Sequence, residues 1–191
     1  MQAFQKLSSS FISLPIEHID TDQIIPARFL TQTHKEGLGA SVFYDWRFDA
    51  TGAVRQEHIL NQKAGQDVQI LVAGKNFGCG SSREHAVWAL QGYGLRVIIS
   101  PSIGDIFKSN ALKNGLLPIE VDERFYQRIL EQNVGSLFVD LEKQELKLAS
   151  GEIASFAIDP FARLCLLKGV DQLGYLLAME ESISAFERRA L

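Results

Sequence analysis

An alternation of short apolar runs with helix-like segments between residues 67 and 131 constrains the fold more than any other feature of the sequence. The run Val68–Ala73 (VQILVA) predicts a buried strand, and a glycine-rich stretch and a helical pattern, REHAVWALQGYG, follow it. Two further strand patterns, RVIIS and GLLPIEV, alternate with helices predicted at 103–112 and 123–131. Strands that alternate with helices form a sheet with parallel neighbours. The pattern therefore predicts an α/β fold with a partly parallel sheet.

The sequence predicts a single domain, residues 1–191, that consists of three parts. Residues 1–66 begin with strand-like alternation and continue as a long irregular segment, whose aromatic residues we expect in the core or in a subunit interface. Residues 67–134 hold the α/β core. Residues 135–191 begin with a predicted hairpin and end in a mainly helical tail. A chain of 191 residues is long enough for one such domain.

Charge and hydropathy exclude several classes of function. The formal net charge is −4 and the basic residues are scattered, whereas nucleic-acid-binding proteins concentrate Lys and Arg on one surface. No apolar run approaches the roughly 18 residues that a membrane-spanning helix needs. The N-terminal stretch lacks the sustained apolar core of a secretory signal. We therefore expect a cytoplasmic protein that binds neither nucleic acid nor a membrane.

The cysteine and histidine content argues against a metal site built by this chain alone. Two thiols, Cys79 and Cys165, cannot supply all the ligands of a tetrahedral zinc or an iron–sulfur cluster. We expect both to pack as small apolar side chains. The four histidines show no metal-ligand spacing, and we expect His85 to be structural. No metal ligand is assigned, and any metal in the reaction must come from elsewhere.

The stretch Gly74–His85 (GKNFGCGSSREH) is the most informative motif. It lies between the buried strand and the following helix, and its three glycines allow backbone geometry that side chains would block. A turn of this kind presents the free N–H groups and positive dipole end of the helix, which together bind anions. Arg83, predicted in the first helical turn, adds a guanidinium fork that can bind a carboxylate through two hydrogen bonds.

A structural interpretation of the same residues is also open. Ser81 and Glu84 match S-x-x-E, the capping box, in which the Ser81 side chain accepts a hydrogen bond from the Glu84 N–H. Both interpretations hold if one serine caps the helix and the other faces a ligand. The stretch is not a dinucleotide fingerprint, because Arg83 replaces the third glycine, and it lacks the Gly-Lys-Ser/Thr of a phosphate-binding Walker loop.

A second motif, His18–Leu30 (HIDTDQIIPARFL), contains two aspartates, Asp20 and Asp22, on either side of a threonine. Asp and Thr before an apolar run are typical of a turn or a helix cap. On its own, Arg28 would be a solvated surface charge.

Two further stretches, IFKSNALKNGLLPI and FAIDPFARLCLLKGVDQLGYLL, follow these motifs, and together the four cover most of the chain. In these stretches and in their order along the chain, the sequence resembles the small subunits of isopropylmalate dehydratase and the matching swivelling domain of aconitase. The resemblance implies an α/β swivelling domain of layered β/β/α architecture. It also implies a hydro-lyase that removes water from a hydroxy acid and adds it back at the neighbouring carbon.

The resemblance further implies the substrate, the cofactor and the partner. The substrate would be a hydroxy-dicarboxylate: 2-isopropylmalate and 3-isopropylmalate, interconverted through 2-isopropylmaleate in leucine biosynthesis. A separate large subunit would hold a 4Fe-4S cluster on its own cysteines, so this chain would bind no cofactor and would act only in the complex. Two alternatives stay open. One is a related hydro-lyase subunit acting on homoaconitate, citraconate or methylmalate, and the other is a non-catalytic anion-binding module.

Within the glycine-rich stretch, the resemblance implies that Ser81 is the catalytic base. A serine hydroxyl is a poor base unless its alkoxide is stabilised, and the helix N–H groups and Arg83 are the expected source of that stabilisation. Arg83 and Ser82 would bind a substrate carboxylate, with Gly80 in the same turn.

Within the second motif, the resemblance implies that Asp22 is an active-site aspartate and that Arg28 is a second carboxylate clamp. Leu30 and Thr31 follow the clamp, at the place where the family binds the substrate side chain.

Overall fold

Seven strands form one mixed sheet in the computed structural model, which describes residues 1–63, 66–132 and 135–190. The strands are β1 (Lys6–Leu14), β2 (Val68–Ala73), β3 (Val97–Ser100), β4 (Leu117–Glu120), β5 (Ser136–Asp140), β6 (Glu145–Lys147) and β7 (Ile153–Ser155). Their order in the sheet is β4-β3-β2-β1-β5-β6-β7. Neighbours from β4 to β1 run parallel, and neighbours from β1 to β7 run antiparallel. The predicted α/β class with a partly parallel sheet is confirmed.

The helices lie in the connections between β1 and β5 and in the C-terminal tail. They are α1 (Thr21–Ile24), α2 (Tyr44–Arg47), α3 (Ile59–Gln62), α4 (Glu84–Tyr93), α5 (Asp105–Asn114), α6 (Glu123–Glu131), α7 (Pro160–Lys168), α8 (Gln172–Leu177) and α9 (Glu180–Ala190). The predicted helical tail is confirmed. In the described part of the chain, no helix is both long enough and apolar enough to cross a membrane.

Both faces of the parallel half of the sheet are buried. Along β2, Leu71 and Ala73 point into one apolar cluster together with α4, whereas Ile70 and Val72 point into a second cluster together with α6. Successive side chains of a strand point to opposite faces, so a strand covered on both sides must be apolar throughout. This requirement explains the continuous run VQILVA.

Two boundaries differ from the sequence prediction. The predicted hairpin after residue 135 is a three-stranded meander, because the chain turns again after β6 and adds β7. The helix predicted at 103–112 begins at Asp105, because Phe77 N donates to Ser102 O at 3.1 Å and Gly104 N donates to Phe77 O at 2.8 Å. The division into parts 1–66, 67–134 and 135–191 stays a prediction, and residues 64, 65, 133 and 134 near its boundaries lie outside the described residues.

A buried arginine organises the irregular segment that precedes β2. Arg47 is 7% exposed, and its Nε donates to Asn61 Oδ1 at 2.9 Å while its Nη1 donates to Val42 O at 3.1 Å. Asn61 Nδ2 donates to Arg47 O at 2.7 Å. Burial lowers the pKa of the Arg47 guanidinium from its usual value. Phe43, one of the aromatic residues predicted to pack in the core, is fully buried beside this network and stacks on Trp46.

Replacement of Arg47 by leucine should destabilise the fold by about 2–4 kcal/mol, because it leaves buried oxygen acceptors without donors. Urea unfolding followed by circular dichroism measures the change. The matched control is Arg55→Leu, which alters an exposed arginine in the same segment and should change stability by less than about 0.5 kcal/mol. Equal losses in the two variants would contradict the organising role of Arg47.

Candidate active site at the carboxyl ends of the parallel strands

The glycine-rich loop after β2 lies between the segments that follow β1 and β3. On one side, Gly78 N donates to Ile19 O at 2.7 Å and Thr21 N donates to Cys79 O at 3.0 Å. On the other side, Phe77 pairs with Ile103 in a parallel bridge. The loop thus continues the sheet past the carboxyl ends of its parallel strands. In open α/β sheets, ligands bind outside these strand ends.

Two glycines of the loop are required by close packing and a third by backbone conformation. A Cβ at Gly78 would lie 2.4 Å from the Phe107 ring, and a Cβ at Gly74 would lie 2.5 Å from the Ile16 carbonyl carbon. Gly80 is exposed and has a φ of +89°, which L side chains rarely adopt. The sequence correctly indicated that side chains would be excluded here.

The first turn of α4 differs from the predicted capping box. The helix begins at Glu84, with Arg83 rather than Ser81 as its N-cap residue, and no side chain in the described structure makes a cap hydrogen bond there. The capping-box interpretation, which the sequence had left open, is therefore wrong. The Glu84 carboxylate instead accepts a hydrogen bond from Asn114 Nδ2 at 2.7 Å. Arg83 lies one residue before the helical turn in which it was predicted.

The two serines are exposed at this helix end, and their backbone is fixed by α1. The Thr21 hydroxyl is buried and donates to Ser81 O at 2.9 Å. Ser82 Oγ accepts a long hydrogen bond of 3.4 Å from Asn110 Nδ2. The predicted base and its neighbour are thus held at the start of α4 with accessible hydroxyl groups.

The cap that the sequence did indicate lies at α1. Asp20 Oδ1 accepts from Gln23 N at 2.8 Å, and Gln23 Oε1 accepts from Asp20 N at 2.8 Å. The expected helix-cap role of this aspartate is confirmed. Asp22, in the first turn of α1, takes no part in this cap, and its carboxylate contacts the turn Ser81–Arg83, here named the serine turn.

Asp22 and Arg83 form an ion pair through Asp22 Oδ1 and Arg83 Nη1. The Arg83 side chain is 17% exposed and the Asp22 side chain is 52% exposed, so the pair lies at the edge of solvent. A guanidinium has five N–H donors, and one carboxylate oxygen uses only part of them. Arg83 can therefore keep Asp22 and still bind a second carboxylate.

Arg28 also has a carboxylate partner within the chain. Its Nη1 donates to Asp45 Oδ2 at 3.1 Å, and its Nη2 contacts Asp45 Oδ1. The guanidinium carbon lies 4.9 Å from the Phe29 ring centroid and 5.1 Å from that of Tyr44. The hydrogen bond to Asp45 raises the pKa of Arg28, and the same bond lowers the pKa of Asp45. The predicted clamp is thus occupied by an internal acid, which a substrate carboxylate would have to replace.

Leu30 directly precedes the exposed residues 31–37, and Thr31 is the first of them. Leu30 is half-buried and packs against the core cluster that contains α4, whereas Thr31 is exposed. Contacts bring Asp22, Ser81, Ser82 and Arg83 together. Arg28 is joined to α2 instead, through Asp45.

Sequence reasoning missed two asparagines near the serine turn. Asn110 and Asn114 lie one turn apart on α5 and contact Ser82 and Glu84, respectively. Their spacing in IFKSNALKN was the available signal, because residues i and i+4 share one helix face.

The described residues do not fit a metal or an iron–sulfur cluster. Among them, no group of three or more His, Cys, Asp or Glu is placed to hold a metal ion. Cys79 lies in the loop and Cys165 is buried on α7. Burial raises the pKa of both thiols, whereas metal ligation requires thiolates.

Comparison with known proteins identifies relatives along nearly the whole chain. A family model described as the aconitase C-terminal domain matches residues 1–124. The 3-isopropylmalate dehydratase small subunit of Roseiflexus castenholzii is 50% identical over 98% of this chain and 94% of its own length. The protein of that name from Anaeromyxobacter dehalogenans strain 2CP-1 is 52% identical over 98% of both chains.

A solved structure has the same fold. The crystal structure of 3-isopropylmalate dehydratase from Methanocaldococcus jannaschii superposes with a TM-score of 0.71 at 25% sequence identity. The match covers 94% of this chain and 98% of that chain.

Substitution of Gly78 by alanine should destabilise the fold by about 2–4 kcal/mol, because the new methyl group collides with Phe107 and the residue keeps a positive φ. Gly80→Ala is the matched control, since its φ is also positive but its Cβ would find its nearest neighbour at 3.4 Å. We expect the control to cost about 1 kcal/mol. Thermal unfolding of both variants measures the difference. Similar losses of stability would show that close packing against Phe107 is not the reason why position 78 requires glycine.

Proposed function

The chain belongs to the 3-isopropylmalate dehydratase small subunits of the aconitase family, and from this premise we propose how its residues act in the reaction. As a hydro-lyase subunit, it interconverts 2-isopropylmalate and 3-isopropylmalate through 2-isopropylmaleate in leucine biosynthesis. The observation that carries the residue assignment is the turn Ser81–Arg83 at the start of α4, with accessible hydroxyl groups and an arginine held by Asp22.

Ser81 acts as the base in this proposal. Its Oγ takes a proton from the substrate carbon next to a carboxylate, the C–H electron pair forms the new double bond, and the hydroxyl group leaves from the neighbouring carbon. In the reverse direction Ser81 returns the proton. The positive end of α4 and the Arg83 guanidinium stabilise the alkoxide, without which a serine hydroxyl has too high a pKa to serve. The hydrogen bond from Thr21 to Ser81 O keeps the turn in place.

Arg83 and Ser82 bind one substrate carboxylate. The guanidinium uses donors that Asp22 leaves free, Ser82 adds its hydroxyl, and the exposed backbone at Gly80 allows close approach. Asp22 acts as the active-site aspartate that orients Arg83. Arg28 binds the second carboxylate after exchange with Asp45, and its exposed position favours such an exchange.

Leu30 and Thr31 bind the substrate side chain. The half-buried Leu30 offers an apolar surface, which suits an isopropyl group better than the third carboxylate of a homoaconitate-type acid.

The large subunit completes the enzyme in this proposal. Relatives of this chain are named small subunits, which implies a partner chain. A 4Fe-4S cluster on that partner supplies the Lewis acid for the leaving hydroxyl group. We place the hetero-oligomer in the cytoplasm.

Ser81→Ala should lower turnover at least about 100-fold in a complex that assembles normally, because the variant removes the group that takes the proton. The assay mixes the variant with a cluster-loaded large subunit and 2-isopropylmalate, and follows the ultraviolet absorbance of the unsaturated acid. Gel filtration of the mixture verifies assembly.

The matched control is Ser136→Ala, an exposed serine on β5, which should keep full activity. Near wild-type turnover by an assembled Ser81→Ala complex would remove Ser81 from the role of base.

A further inference from the structure

The seven residues 31–37, here named the strap, follow Leu30 directly and are all exposed. The backbone hydrogen bonds at its two ends are long: Gln32 N donates to Phe29 O at 3.5 Å, and Leu38 N donates to Lys35 O at 3.4 Å. A segment with so little buried surface depends on contacts with other elements for its position. Two side-chain contacts with α4 and α5 provide them.

The first contact is made by His85, in the first turn of α4. Its Nε2 lies 2.8 Å from Gln32 O. A carbonyl oxygen only accepts hydrogen bonds, so Nε2 must carry the hydrogen and donate it. The His85 ring also packs on Trp88, with 4.8 Å between ring centroids, which fixes the direction of the donor.

The second contact is made by Asn114, the last residue of α5. Its Oδ1 accepts from Lys35 Nζ at 2.9 Å and from Trp88 Nε1 at 2.9 Å. The Lys35 ammonium lies 5.2 Å from the Trp88 ring centroid, within the range of a cation–π interaction. Trp88 therefore supports both contacts, one through its ring and one through its N–H group.

The same side chains connect the strap to the serine turn. Asn114 Nδ2 donates to Glu84 Oε1 at 2.7 Å and to Asn110 O at 3.0 Å. Asn110 in turn contacts Ser82 Oγ. One connected set of hydrogen bonds, through Asn114 and Asn110, thus joins the strap to the serine turn.

We propose that His85 and Asn114 are positioning residues that fasten the strap to α4 and α5 and so determine selectivity for the substrate side chain. This inference rests on the proposed function, because Leu30 and Thr31 are placed there beside the substrate side chain. Leu30 precedes the strap and Thr31 begins it, so a fastened strap holds both residues against the substrate side chain equally in the ground state and the transition state. Release of the strap therefore raises KM and leaves kcat nearly unchanged.

Limited trypsin digestion of the full chain tests the fastening without any substrate. Trypsin cuts after Lys35, inside the strap, and mass spectrometry of the new peptide ends gives the rate at this bond. His85→Phe keeps a ring on Trp88 but removes the N–H donor, and Asn114→Leu removes the acceptor. Each variant should be cut after Lys35 about threefold to tenfold faster than wild type, the factor expected for loss of one hydrogen bond.

Two controls accompany the digestion. His85→Gln restores a donor and should return the cutting rate toward wild type. Lys113→Ala changes the exposed neighbour of Asn114 on α5 and should leave the rate at Lys35 unchanged. Equal rates at Lys35 in wild type, His85→Phe and Asn114→Leu would overturn the proposal.

Hydration of 2-isopropylmaleate and of citraconate by the reconstituted complex tests selectivity. In citraconate a methyl group replaces the isopropyl group. His85→Phe should raise KM for 2-isopropylmaleate about threefold to tenfold, change kcat less than about twofold and leave KM for citraconate nearly constant. His85→Gln should recover the wild-type KM.

The outcomes separate this inference from the proposed function. An inactive wild-type complex with an intact cluster would refute the proposed function, while the digestion still decides whether His85 and Asn114 hold the strap. The selectivity role would be overturned if the wild type is active and His85→Phe leaves the ratio of KM for 2-isopropylmaleate to KM for citraconate unchanged. This holds even where trypsin cuts after Lys35 faster. A parallel fall of kcat for both acids would also overturn it, because that result indicates general damage to the site.

Discussion

The hydrogen bonds between the glycine-rich loop and the segments after β1 and β3 determine where Asp22 lies relative to the turn Ser81–Arg83. Gly78 donates to Ile19 O, and Cys79 O accepts from Thr21 N. The loop can enter this space only because no side chain is present at Gly78, where the Phe107 ring lies 2.4 Å from the position of a Cβ. The same bonds bring α1, with Asp22, beside the start of α4, with Arg83. Two residues 61 positions apart thus become an ion pair.

Internal charge pairing is the second property on which the site depends. Both arginines expected to bind substrate carboxylates already have a carboxylate partner, Asp22 for Arg83 and Asp45 for Arg28. Arg83 lies at the positive end of α4, where an unpaired cation would be unfavourable, and the ion pair with Asp22 offsets that cost. A dicarboxylate can share Arg83 with Asp22 but competes with Asp45 for Arg28. The two substrate carboxylates are therefore bound in different ways, and binding of the carboxylate at Arg28 should depend more strongly on ionic strength.

Local patterns predicted much of this structure and long-range contacts explain the rest. The run Val68–Ala73 and the helix after it follow from periodicity, and the exclusion of side chains at Gly74 and Gly78 follows from the glycines themselves. The capping-box interpretation failed because α4 begins at Glu84, so Ser81 lies two residues before the N-cap residue Arg83. The Glu84 carboxylate bonds to Asn114, thirty positions away, and local spacing carries no information on such a partner. The resemblance supplied Arg28 as a clamp, but its internal partner depends on the fold of the irregular segment. That fold in turn depends on the buried Arg47.

The most direct test compares three samples: this chain, a cluster-loaded large subunit from the same source, and their mixture. Each is given 2-isopropylmalate, and the ultraviolet absorbance of the unsaturated acid measures turnover. We predict absorbance only in the mixture. A mixture that is silent on 2-isopropylmalate but active on citraconate or a homoaconitate-type acid would contradict the substrate assignment. Silence on all of these acids, with the cluster intact, would contradict the enzymatic role and leave a module that binds anions at the start of α4.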